Sequence, residues 1–263
     1  MLNTFKRISG REMVLVEGGT FEMGGETDNP RGWALPIHTV RVESFYIGKY
    51  LITQKDWLEV MGFSDNTYIG DNVPEFFINW YKAIEFCNAL SRKEGLECVY
   101  DIRVCKHFSA ANEGSDETKT YIDVNQKANG YRLPTEAEWE FAARGGNKSE
   151  GFLYSGSNDL DEVGYYSDNK EDTDKFPEVG EKKPNELGIY DMSGHLWEWC
   201  WDRFGRYPAG SSKDPDGLIT GSHRVLRGGT RMHKDSWCTV FFRWRGYPDG
   251  FFPAGVRLCR NIL

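Results

Sequence analysis

The amino-acid sequence predicts one irregular α+β domain. Three segments carry a helix-start signal ahead of an apolar stripe. The other apolar residues fall in short runs broken by turn formers, and the 29 glycines are scattered along the chain. No repeat or Pro-rich linker divides the 263 residues. A chain of this length buries about three-quarters of its unfolded surface, and an aromatic content of 14% supplies ample core material.

Residues 1–12 read as an N-terminal extension to a domain spanning 13–263. MVLVEGGTFEMGG, Met13 to Gly25, predicts a hairpin, and HTVRVESFYIGKY, His38 to Tyr50, alternates as a strand does. Thr53, followed by Gln54, Lys55 and Asp56, caps a helix with Trp57, Val60 and Met61 on one face. Asn79 precedes a second helix, whose stripe is Trp80, Ala83, Ile84, Cys87 and Leu90. The polar, turn-rich stretch from Lys106 to Asn129 predicts an insertion loop. Thr135 and Glu138 form a capping box for a third helix, closed by Gly145-Gly146 after Arg144. A second loop-like region runs from Asn158 to Asn185.

Composition excludes several functions. With 32 basic and 40 acidic side chains the net charge is −8, and no basic stripe exists to engage nucleic-acid phosphates. Apolar runs are too short to span a bilayer, and the opening residues hold no apolar stretch of signal-peptide type. Cys87, Cys98, Cys105, Cys200, Cys238 and Cys259 include no C-x-x-C pair, against zinc frameworks and thioredoxin chemistry. Buried free thiols are the expected state.

The C-terminal segment, residues 226–263, stands apart. Phe241-Phe242 and Phe251-Phe252 break strand alternation, and Trp237, Trp244 and Tyr247 add rings among Gly, Pro and Arg. That composition suits a binding surface; the competing reading is ordinary core aromatics in an irregular β region.

Several phrases resemble the formylglycine-generating-enzyme, or sulfatase-modifying-factor, family. They are GYRLPTEAEWEFAARGG (Gly130 to Gly146), KKPNELGIYDMSGHLWEWCWD (Lys182 to Asp202) and VLRGG (Val225 to Gly229), with MVLVEGGTFEMGG fitting its opening. The resemblance implies a C-type-lectin-like fold rich in loops. Trp139, Trp197, Trp199 and Leu258 then belong to the core, and Arg243 and Arg257 hydrogen-bond the backbone. Glu198 and Asp202 invite an acid–base reading, but structural hydrogen bonding suits them better.

Catalytic members bind copper(I) through two cysteines five positions apart, after Gly-Gly-Ser. Gly228-Gly229-Thr230 places His233 and Cys238 there, so one thiolate is missing and the donor set is wrong for copper(I). Cys259 is the sequence-local candidate for a second thiol. The family's calcium-binding asparagine is His195 here, and calcium prefers hard oxygen ligands. No cofactor is therefore expected, calcium at another site being the one left open.

The ending, RGG, then Cys238, Arg243, Pro248-Asp249, Gly255 and Arg257-Leu258, is similar to the variable regions of retroelement-diversified proteins of this family. On that resemblance the varying, ligand-binding positions are Met232, His233, Lys234, Ser236, Trp237, Phe241, Phe242, Trp244, Arg245, Gly246, Tyr247, Gly250, Phe251, Phe252, Pro253 and Ala254. The rings among them are expected to share one exposed patch. The implied protein is non-catalytic and binds a macromolecule, most simply a protein. It sits at the cell surface as a lipoprotein whose export signal these residues do not contain; otherwise it is cytoplasmic. The alternatives are an oxidase with an altered copper site and a fixed-sequence pseudoenzyme.

Overall fold

The computed structural model describes residues 6–8, 11–26, 32–108, 116–169 and 176–262. Residues 1–5 and 9–10 of the expected extension, 109–115 and 170–175 of the two expected loops, and Leu263 at the end of the variable segment lie outside them. In chain order the strands and helices begin with β1 (Lys6–Ile8), β2 (Arg11–Val16), β3 (Gly19–Met23), β4 (His38–Val42) and β5 (Phe45–Gly48). Next come α1 (Gln54–Met61), α2 (Trp80–Lys93), β6 (Tyr100–Phe108), β7 (Asp116–Val124), β8 (Tyr131–Arg132), α3 (Glu136–Ala143) and α4 (Leu160–Val163). The chain closes with β9 (Trp197–Arg203), β10 (Ser212–Lys213), β11 (Arg224–Arg227), β12 (Arg243–Gly246), β13 (Ala254–Gly255) and β14 (Cys259–Asn261).

The three expected helices form where their caps place them. Thr53 accepts from the Asp56 N–H and the Asp56 carboxylate accepts from the Thr53 N–H, each at 3.2 Å. Asn79 accepts from the Lys82 N–H at 2.9 Å. Thr135 and Glu138 make the same reciprocal pair around α3, at 3.2 and 2.8 Å. Each satisfies amides that a helix start otherwise leaves unbonded. Gly145, at φ 88°, ends α3 in the left-handed region that glycine enters without steric cost.

The hairpin expected over Met13–Gly25 does not form. β2 pairs with β5 and β3 with β4, so the segment runs antiparallel beside His38–Gly48. Val16 opposes Phe45 and Gly19 opposes Val42, so the register is kept while the ribbon passes from one sheet to another. The break falls at Glu17-Gly18, where the Gly18 N–H donates to Ser44 Oγ at 2.8 Å, and it also splits the strand expected over His38–Tyr50. Two glycines in sequence suggest a turn, but here Gly18 lets the backbone of Val42–Ser44 approach and Gly19 makes room for the Asn147 and Phe141 side chains.

The sheets run β1-β2-β5-β14-β8, β10-β4-β3, β12-β11-β9-β13 and β6-β7. The β6-β7 ribbon corrects the insertion loop expected over Lys106–Asn129: its flanks pair from Tyr100↔Val124 to Phe108↔Asp116. Cross-strand pairing overrides polar composition there. Cys87, Cys200, Cys238 and Cys259 are buried free thiols as expected, whereas Cys98 is partly exposed.

Candidate functional site

The C-terminal segment is built on the β12-β11-β9-β13 sheet, in which Arg243, Arg227 and Glu198 share one row across three strands. That row faces α3. Arg227 donates to Glu136 and to Glu140, each at 2.6 Å, and Arg243 grips both oxygens of Glu136 at 2.7 and 2.6 Å. Glu198 accepts from Arg257 at 2.7 and 2.8 Å and from the Trp139 indole at 2.7 Å. These charges are buried. Burial alone pushes the Glu136 carboxyl up, but Arg243 and Arg227 outweigh it and hold the group below its usual range. The frame arginines thus make ion pairs as well as the expected backbone bonds, such as Arg257 to the Tyr190 carbonyl at 2.8 Å. Gly229 completes the frame: at φ 77°, a Cβ there would come within 2.8 Å of Cys238 Sγ and the Trp237 carbonyl.

Asp202 lies at the edge of this network, accepting from the Glu136 N–H at 2.7 Å. Burial, then the Glu136 carboxylate, pushes its pKa up to about 8. A carboxyl raised in the fold stabilises it fully below its unfolded pKa and loses that contribution as pH rises toward about 8. Stability is therefore expected to fall between pH 5 and 8, by at most about 1.4 kcal/mol per unit from this group. Asp202→Asn, which can still accept the amide, should flatten the profile. Thermal melts across that range check this; an unchanged slope contradicts it.

The opposite face of the sheet is aromatic. Trp199, Leu226 and Trp244 align across it. Over it, His233 stacks on Trp237 at 4.6 Å, and Trp237 meets Phe242 and Trp244 at 5.0 Å each. Trp33, from a distant loop, covers Trp244 at 5.1 Å and lies under the Arg245 guanidinium at 5.3 Å. Trp33, His233, Trp237 and Trp244 of this group are partly exposed, and Met232, beside His233 in the chain, is 62% exposed.

The expected single patch needs correction. Phe242, at 3% exposure, is core beneath Trp197 and Trp237, in the turn that leads into β12. Gly246 and Ala254 are likewise buried, Gly246 under Trp199 and Phe252. The remaining rings divide among separate neighbours. Phe241 packs on Gly25 and Arg144, Tyr247 on His223 at 4.1 Å, Phe251 on Phe77 at 5.1 Å, and Phe252 on Trp199 at 5.8 Å. Lys234 and Arg245 are exposed, while Ser236, Gly250 and Pro253 are intermediate. The sequence signalled none of the partners Trp33, Phe77 and His223; Trp33 and Phe77 come from loops far along the chain, and His223 directly precedes β11.

The carried-over copper donors do not form a copper(I) site. Cys238 packs with Tyr154, Leu160 and Val163, whereas His233 lies among Trp197 and Trp237. Burial, then Asp235, pushes the Cys238 thiol up to about 12, so it is protonated at neutral pH. Cys259 belongs to another core cluster and offers no second thiol there. Burial lowers the pKa of His233, whose Nδ1 lies 2.7 Å from Thr230 Oγ1. His195 is buried with Nε2 3.1 Å from the Pro177 carbonyl, an arrangement that does not supply the hard oxygen set calcium takes.

The profile of the sulfatase-modifying factor enzyme 1-like domain matches residues 1–262, and the chain belongs to that family. Treponema denticola variable protein 1 superimposes with a TM-score of 0.81 and 31% identity, covering 100% of both chains. The chain is 42% identical to chaperone protein LppX of Paenibacillus barcinonensis, over 73% of this chain and 71% of that one. It is 29% identical to the formylglycine-generating enzyme of Streptomyces coelicolor, covering 89% and 82%. The resemblance read from the sequence, both to the family and to its variable proteins, is thus borne out, as is the single mixed helix-and-strand domain. Among the described residues no helix is long and apolar enough to cross a membrane.

Proposed function

We propose that this protein is a non-catalytic binding module that displays a hypervariable face, residues 226–263, to a macromolecular partner at the cell surface. The observation that carries the reading is the division of labour in that segment. Arg227, Arg243 and Arg257 are buried in ion pairs, whereas Met232, Lys234, Arg245, Tyr247 and Phe251 between them are exposed. A frame of this kind keeps its fold while the residues between are exchanged. The likeness to a variable protein supports the same reading. A protein partner suits a face of rings and guanidiniums: rigid rings lose little entropy on binding, and aromatic and Arg side chains carry most of the affinity in such contacts. The relative named as a chaperone protein is consistent with a protein ligand.

Sequencing the locus tests the proposal. It requires a reverse transcriptase nearby and a near-identical repeat of the region encoding residues 226–263, differing at adenines. A locus with neither would overturn retroelement diversification. The absence of catalysis has its own check. Incubated with a cysteine-containing sulfatase peptide, copper and oxygen, the protein is expected to produce no aldehyde; formation above background would restore the oxidase reading.

A further inference from the structure

We propose that Phe77, outside the variable segment, is a fixed ligand-contacting residue of the same face, a reading that rests on the display function above. Its backbone sits at φ 52°, in the left-handed region that a bulky side chain rarely enters. The neighbours impose this. The Glu75 N–H donates to the Ile52 carbonyl at 2.9 Å and the Ile78 N–H to the Ala254 carbonyl at 3.1 Å. Between them, the Asn66 side-chain amide donates to the Phe76 carbonyl. Phe77 is therefore pinned on both sides, and on one of them to the variable segment itself.

Glycine would hold this conformation without steric cost. The phenyl ring adds strain and leaves apolar surface in water, since Phe77 is 38% exposed and its stacking partner Phe251 is 77% exposed. Folding leaves over a third of this ring in water, and strain of this kind clusters where it serves function. Phe77 and Phe251 stack at 5.1 Å with 16° between their planes, forming a two-ring platform. Phe76 continues it, at 5.4 Å from Phe77 and 5.0 Å from Phe176. The platform is continuous with the displayed residues through Phe251. Its occupant is accordingly an apolar side chain of the same protein partner, laid across the exposed rings.

The test uses the full chain with Met232, Lys234, Ser236, Arg245 and Tyr247 randomised, Phe251 kept, and immobilised lysozyme as the probe. Selected binders are remade with Phe77→Gly, which relieves the backbone, and with Phe63→Ser as a control at another exposed ring. The expected result is affinity weakened about tenfold with Tm within about 3 °C of the parent, and Phe63→Ser without effect on affinity. Unchanged affinity in Phe77→Gly would overturn the inference alone. So would weakening accompanied by a larger fall in Tm, which marks a structural role. A library yielding no binders would overturn the display reading, and this inference would fall with it.

Discussion

Arg257→Leu is expected to destabilise the protein by about 3–5 kcal/mol, because it strands a buried carboxylate. Arg257 donates twice to Glu198 and also holds the carbonyls of Gly48, Lys49 and Tyr190, tying β9 to β5 and to the loop before it. Without it Glu198 keeps the Trp139 indole among its described partners. A domain of this size shifts its Tm by roughly 2–4 °C per kcal/mol, so a fall of about 6–20 °C is expected. Adding Glu198→Gln removes the uncompensated charge and should recover part of the loss. Arg245→Leu is the comparison. That side chain is exposed and lies over Trp33 and Phe204, and its replacement should change stability by about 0.5 kcal/mol or less. Equal losses from the two arginines would dissolve the distinction between frame and display.

Phe242→Ala is expected to cost about 3–5 kcal/mol, as truncation of a buried phenylalanine does. The same change at Phe251, 77% exposed, should cost far less, about 0.5 kcal/mol. Both phenylalanines belong to doublets that break strand alternation, and the sequence treats them alike. The structure separates them by what lies beneath: Trp197 and Trp237 enclose Phe242, whereas Phe77 merely stacks on Phe251. Denaturant titration of both variants reads the difference directly. A cheap Phe242→Ala would return that ring to the surface set.

Local signals in the sequence carried the parts of the fold that local physics decides. The caps at Thr53, Asn79 and Thr135 each bond amides within three residues, so the helix starts were legible. The strands were not, because their partners lie elsewhere. Nothing local in Met13–Gly25 says that β2 and β3 pair with β5 and β4 rather than with each other. The frame of the candidate site was legible as a motif, yet the reason Arg227 and Arg243 matter is Glu136, about a hundred residues away. The same limit hid Trp33 and Phe77, whose contacts with Trp244 and Phe251 depend on how distant loops return to the sheet.

The proposed display function requires an invariant frame with exchangeable contacts in this segment. Sequencing the 3′ end of the gene from many cells of one lineage tests it most directly. Substitutions are expected to concentrate in the codons of exposed residues such as Met232, Tyr247 and Phe251. The codons of Arg227, Cys238, Arg243 and Arg257 should stay unchanged. Substitutions spread evenly over both sets, or no excess at the exposed codons, would contradict it.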